Sequence, residues 1–189
     1  MKREIRKKIL AKRKALSHEE VLEKSQMIFQ KLKKMPLYNH AENVMIYMDF
    51  RNEVKTDQII HDLRESGKKV MIPLTVPKTK EMIPSELLNP EIELEKTKFG
   101  VLEPKKQYIR ERNPNILDLI IVPCVAFSLQ GYRIGYGAGY YDRFFSSLEN
   151  PIPSVGLAFD LQIIDSFPSE SHDLKVDFIL TETQMISCK

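Results

Sequence analysis

The sequence has little of what holds small or secreted scaffolds together. Its 189 residues include two cysteines, Cys124 and Cys188, without the paired spacing of a zinc site, so neither a disulfide framework nor a cysteine-ligated metal is expected to hold the fold. Long apolar runs are absent as well. Stretches such as Leu119 to Val122 and Val125 to Phe127 fall far short of the roughly 20 residues a bilayer requires, which excludes a membrane-spanning role. The opening MKREIRKKIL carries charge where a secretory leader has its apolar core, so a reducing, cytoplasmic setting is expected. The 11 prolines are scattered, and there is no linker-like stretch or internal repeat, so residues 1–189 are expected to form one domain. A chain of this length buries about 70% of its unfolded surface, and 42% hydrophobic residues are enough to build such a core.

Acidic residues are scarce at the front. Residues 1 to 34 hold 12 Lys and Arg against 4 Asp and Glu, a net +8, whereas the remainder is net −5. A basic leading element on a mildly acidic body points to an anionic partner, either a polyanion or a small phosphate or carboxylate. The plainer reading is a solvated helix face.

Ile5, Ile9 and Leu10 recur at helical spacing, with Arg3, Arg6, Lys7, Lys8, Lys12, Arg13 and Lys14 expected to cover the rest of that helix. Ser17 to Glu20 reads as a capping box opening a second helix, with Val21, Leu22, Ile28, Phe29 and Leu32 as its stripe and Pro36 as its close. A buried strand over Asn43 to Met48, a helix from about Thr56 stopped by Gly67, and a strand over Lys69 to Leu74 follow. Thr75 to Pro114, with five prolines and only short apolar pieces, reads as loops with minor strands. Strands at Asp118 to Pro123, Ser154 to Leu157 and Asp177 to Leu180, with a helix over Gly139 to Leu148, complete the alternation. It predicts an α/β three-layer sandwich with a largely parallel central sheet and helices on both faces.

Glycine is rare, yet four of the seven lie between residues 131 and 139, in Gly131-Tyr-Arg-Ile-Gly-Tyr-Gly-Ala-Gly-Tyr-Tyr-Asp-Arg143. Glycines at 135, 137 and 139 let backbone amides converge on one point, and the following helix adds its positive end, an arrangement suited to an anion such as a phosphate chain. Gly-Lys-Ser/Thr is absent, and Tyr140 stands where a dinucleotide fingerprint needs a small residue, so both familiar phosphate motifs fail. The alternative is a tight turn packed against a neighbour. Arg133 in front, able to neutralise phosphate, and Asp142 behind, able to hold a hard cation, favour the functional reading.

The run from Asp118 to Phe127 followed by Gly131 to Arg143 resembles the signature of the 5-formyltetrahydrofolate cyclo-ligase family, also called methenyltetrahydrofolate synthetases. Further landmarks are Lys2-x-x-x-Arg6, Arg13-x-x-Leu-Ser17, Glu53-Val-x-Thr56, Phe99-Gly-x-x-Glu-Pro104 and His172-Asp-x-x-Val-Asp177. Ile134 and Ala138 are small departures. The resemblance implies an ATP-driven, Mg²⁺-dependent conversion of 5-formyltetrahydrofolate to 5,10-methenyltetrahydrofolate. It implies ATP contacts from Lys2, Arg3, Glu4, Ile5 and Arg6 and from Arg133, Ile134, Gly135, Tyr136, Gly137, Ala138, Gly139, Tyr140 and Tyr141. Asp142 and Asp173 would hold the metal. Met48, Glu53, Phe99 and the 136–140 segment would line the folate pocket, with Arg133, Tyr140 and Asp142 serving catalysis. A monomer with no nucleic-acid or membrane partner is expected. On their own, Met48 would be core, Asp173 a turn cap, Tyr141 and Phe144 core, Cys124 a buried thiol and His172 structural. The competing readings are a nucleic-acid binder using the basic helix, though the chain lacks a zinc spacing or RNP-type aromatic pair, and a nucleotide or folate binder without turnover.

Overall fold

The computed structural model describes residues 1–97, 100–170 and 173–188. In chain order, the first half runs α1 (Lys2–Ala15), α2 (His18–Leu32), α3 (Pro36–His40), β1 (Asn43–Ile46), α4 (Asp57–Glu65), β2 (Lys69–Val76) and β3 (Glu81–Glu86). A short helix α5 (Pro90–Glu93) and the hairpin β4 (Leu94–Lys96) and β5 (Leu102–Pro104) follow. The second half comprises β6 (Leu119–Val122), β7 (Ala126–Ser128), β8 (Arg133–Ile134), α6 (Tyr140–Ser147), β9 (Ser154–Leu157), β10 (Ile163–Ile164), β11 (Phe178–Leu180) and β12 (Met185–Ser187).

Strands that are apolar at every position are buried on both faces, which is what a parallel sheet between two layers demands. On β1 and β6, Val44, Ile46, Leu119 and Ile121 turn to one face, against Ile28 and Leu32 of α2, Tyr38 of α3 and Ile59 and Leu63 of α4. Met45, Ile120 and Val122 turn to the other, against Phe127 of β7 and Phe144 of α6. Among the described residues the central sheet has the order β12-β11-β9-β6-β1-β2-β3, parallel from β11 to β2 and antiparallel at both edges. The expected three-layer α/β architecture is therefore the observed one. Since β2 lies on one side of β1 and β6 on the other, the ends of β1 and β6 form the switch point where such sheets bind ligands.

A second sheet, β10-β7-β8, carries α1: Ile5, Ile9 and Leu10 pack with Val125, Ala126, Ile134 and Phe167. The glycine segment thus leaves β8 of this small sheet and not the central sheet directly. Gly131 belongs to the β7–β8 turn; its φ is 90°, and a Cβ there would fall 2.7 Å from Cys188 Cβ, so it serves packing and not the anion cradle.

Four local expectations are corrected. Pro36 opens α3 at its first turn and does not close α2, consistent with a ring that fits where no amide partner exists. Leu22 is exposed. Thr75 to Pro114 contains a full edge strand, β3, paired with β2 from Met71↔Glu86 to Val76↔Glu81; Pro84 sits opposite Pro73, as an edge strand tolerates. Arg13, expected among the solvated cations of α1, is fully buried.

Candidate active site

A cleft of about 810 Å³ opens beyond the ends of β1 and β6. Its floor and one wall come from Tyr47, Met48, Phe50 and Glu53 after β1 and from Pro123 and Cys124 after β6. The opposite wall is the glycine loop with the first turn of α6, from Arg133 to Asp142. Lys2 and Arg6 reach in from α1, Asp173 from the segment before β11, and Thr75 and Glu103 from β2 and β5.

Helical spacing explains the contribution of α1. At 3.6 residues per turn, Lys2, Arg6, Ile9 and Arg13 share a face spanning roughly 60° of arc, and that face meets the glycine loop. Arg6 Nε donates to the Gly135 carbonyl at 2.8 Å. Lys2 Nζ lies 2.6 Å from Asp173 Oδ2 and 3.3 Å from Glu170 Oε1. Burial opposes the charge on Lys2, but these carboxylates outweigh it and raise its pKa. Arg3 and Glu4 are exposed, and Ile5 packs against the small sheet; none of the three lines the cleft.

Arg133 is turned inward. Its guanidinium donates to the Leu174 carbonyl at 2.7 Å and to Asp142 Oδ1 at 2.8 Å, with its central carbon 5.8 Å from the Tyr141 ring centroid and 5.0 Å from that of Phe145. Burial lowers its pKa against the pull of Asp142. Asp142 Oδ1 also accepts from Leu174 N at 3.3 Å; among the described residues, the hydrogen bonds of this carboxylate all use Oδ1. The expected phosphate hand and the expected metal ligand are thus each other's partners. Gly139, with φ 69°, forms the left-handed entry to α6, whose first residues Tyr140, Tyr141 and Asp142 line the cleft.

Glu53 lies at the base of the other half and is 5% exposed. Oε1 accepts from the Tyr136 hydroxyl at 3.1 Å and Oε2 from Phe50 N at 3.0 Å, while Arg13 Nη2 stands 3.8 Å from Oε1. Burial pushes its carboxyl up to about 7, against the opposing effects of Arg13 and these hydrogen bonds. Burial and the same carboxylate push Tyr136 up to about 12. Met48 is half-buried against the core and still faces the cleft, so the core and pocket readings of it both hold. Tyr140 and Tyr141 line the cleft and also pack on the second core cluster. Phe99 and His172 lie outside the described residues.

Sequence reasoning missed Arg13, Phe50 and Glu103 as site residues. Arg13 had a legible signal, because positions 5, 9 and 13 continue the apolar seam at i, i+4 and i+8. Phe50 had none beyond proximity to the landmark at 53, and Glu103 stands in the Phe99-Gly-x-x-Glu-Pro104 landmark without a role assigned to it. Cys124 is buried as expected, its thiol pushed up by burial, and its carbonyl accepts from Arg13 and Gln162.

The family model of the 5-formyltetrahydrofolate cyclo-ligase family matches residues 1–182. A 5-formyltetrahydrofolate cyclo-ligase of Mus musculus is 32% identical, covering 96% of this chain and 93% of that protein. The solved structure of Aquifex aeolicus 5,10-methenyltetrahydrofolate synthetase is similar at 31% identity and TM-score 0.85, covering 100% of this chain and 93% of that one. A 5,10-methenyltetrahydrofolate synthetase from Mycoplasma pneumoniae follows at 27% identity and TM-score 0.78, covering 96% and 98%.

Proposed function

The chain belongs to the 5-formyltetrahydrofolate cyclo-ligase family, and from that premise we propose that its cleft converts 5-formyltetrahydrofolate and ATP to 5,10-methenyltetrahydrofolate, ADP and phosphate. The observation that carries this reading is that one cavity joins a glycine loop flanked by Lys2 and Arg6 to an apolar wall holding the buried carboxylate Glu53. The first half suits a phosphate chain, and the second suits a flat ring with N–H donors.

The chemistry is demanding because a formyl oxygen leaves poorly. Transfer of the γ-phosphoryl group to that oxygen gives an N5 iminium phosphate and ADP. The N10 amine then attacks the formyl carbon, phosphate departs with the oxygen, and the N10 proton is lost. No protein nucleophile is required, so the protein's work is positioning and charge stabilisation.

Mg²⁺ fits as a shared ligand and not as a caged ion. Among the described residues no three His, Cys, Asp or Glu side chains group as a metal site, but Asp142 and Asp173 both face the cleft, and magnesium commonly takes one or two carboxylates with phosphate and water oxygens. When bound, it would neutralise charge developing on the phosphates. Lys2, released from Asp173, would then meet the phosphate chain, while Arg133 keeps Asp142 oriented. Tyr140 and Met48 would cover the pterin, and Glu53 would accept its N–H groups.

We further propose that residues 1–189 act as one domain and as a monomer in the cytoplasm, without a nucleic-acid or membrane partner. No helix among the described residues is long and apolar enough to cross a membrane. The test is a mixture of protein, 5-formyltetrahydrofolate and Mg·ATP, followed at the near-ultraviolet absorbance of methenyltetrahydrofolate. Absorbance that grows only with all three components is expected; its absence from folded protein would reject the reading.

A further inference from the structure

Resting on the cyclo-ligase reading of the cleft, we propose that Arg13 is a positioning residue: its guanidinium holds Tyr136 and Glu53, and through them the nucleotide and folate walls, in one arrangement.

Its neighbours Lys12 and Lys14 are exposed, whereas Arg13 is 0% exposed. Burying a cation costs several kcal/mol unless its donors are satisfied, and an apolar side chain at this place would continue the Ile5–Ile9 seam without that cost. Here the donors reach three separate segments. Nε donates to the Arg51 carbonyl at 3.0 Å, Nη1 to the Cys124 carbonyl at 3.1 Å, and Nη2 to the Tyr136 hydroxyl. These are the turn after β1, the connection after β6 and the glycine loop, so a single side chain ties together three segments that build the cleft.

The turn after β1 needs such support. Arg51 and Asn52 have φ of 49° and 56°, a conformation that costs non-glycine residues energy and persists only where surroundings impose it. Arg13 holds the Arg51 carbonyl, and Asn52 Nδ2 returns two bonds to the carbonyls of Arg13 and Leu16, each at 3.2 Å. The turn that delivers Glu53 is therefore clamped to the end of α1.

Direction also follows. A phenol has one proton; because the Tyr136 hydroxyl accepts from Arg13, it donates to Glu53 Oε1. Phe50 N occupies one position on Oε2. A carboxylate offers about four acceptor positions, so two remain for ligand N–H groups.

The groups that bear on Glu53 are Arg13 from α1, Tyr136 from the glycine loop, Asp49 and Tyr47 beside the end of β1, Tyr141 from α6 and Cys124 after β6. Arg13 is the cation among them. Removing it, or its link through Tyr136, must make Glu53 harder to ionise. The experiment is calorimetric titration of 5-formyltetrahydrofolate into the full chain from pH 6 to 9, for wild type, Arg13→Met and Tyr136→Phe. Wild-type affinity should develop with a midpoint near pH 7. In Arg13→Met the midpoint should rise by a unit or more, with affinity at pH 7 at least tenfold weaker and recovering toward pH 9. Tyr136→Phe keeps the ring and leaves the guanidinium in place with its Arg51 and Cys124 bonds; it should shift the midpoint the same way with about threefold weaker binding, and it decides the matter if Arg13→Met does not fold. An unchanged midpoint and affinity in Tyr136→Phe, with only thermal stability lost in Arg13→Met, would overturn the proposal and leave the cyclo-ligase reading standing. Wild type that fails to bind 5-formyltetrahydrofolate at any pH would instead overturn that reading, and the proposal with it.

Discussion

At Glu53 the proposed folate contact and a stability penalty meet in one carboxylate. Its folded pKa, near 7 because of burial, lies above the usual 4.5, so between those values the native state holds more protons than the unfolded chain. Stability therefore falls as pH rises through that window, by about 3 kcal/mol once Glu53 is fully ionised. Glu53→Gln removes the titration. Its unfolding free energy should gain on wild type between pH 5 and pH 8, measured by denaturant melts, while folate affinity at pH 8 falls by tenfold or more. Parallel pH curves for the two proteins would show that the penalty is not carried by Glu53. Glu53 was legible because it stands in a recognisable turn landmark, Glu53-Val-x-Thr56. Arg13 was misread because a cation among cations looks solvated, although its place at i+8 on the Ile5–Ile9 seam marked the buried face. Only the fold shows that the 51–53 turn, Cys124 and Tyr136 close over it.

Among the elements, α1 shows how a charge run divides by face. Lys2 and Arg6 enter the cleft while Arg3, Lys7 and Lys14 stay exposed, so the +8 of the first 34 residues is not one function. Arg6→Ala should raise the KM for ATP about tenfold, the scale of one charge-assisted hydrogen bond, and Lys14→Ala should change it less than twofold. Equal effects, together with steep salt-dependent binding of nucleic acid by both variants, would favour the polyanion reading of the helix. Elements with strong local signals were legible. The Ser17 hydroxyl accepts from Glu20 N and the Glu20 carboxylate from Ser17 N, as the capping box predicts, and Gly67 follows α4 with φ 75°. β3 was not legible, because its pairing comes from β2 and from a covered outer edge, where Arg112 N donates to the Pro84 carbonyl and Glu86 N to that of Arg110. A polar, proline-bearing strand shows no alternation to read.

For the molecule as a whole, the decisive fact is that one cleft at the sheet's switch point holds both the glycine loop and Glu53. The parallel order was readable from doubly apolar strands, but not the strand order, which sets β1 beside β6 and so brings Glu53 and Cys124 to the same cleft as the glycine loop. A ligand that binds only the folded chain raises its stability by mass action, about 2.7 kcal/mol at a hundredfold excess over Kd. For a chain of this size that corresponds to a melting shift of very roughly 5 to 11 °C. Mg·ATP and 5-formyltetrahydrofolate should each give such a shift, and the two halves should be separable by substitution. Asp142→Asn keeps the shape but weakens the hold on Arg133 and withdraws charge from the proposed metal position; it should lose the Mg·ATP shift and keep the folate shift. Glu53→Gln should do the reverse. Because Arg133 and Leu174 N lean on the same oxygen, Asp142→Asn should also lower the ligand-free melting temperature, so each shift is read against the variant's own baseline. Loss of both shifts in either variant would mean that the cleft does not divide as described and that its two walls bind as one unit.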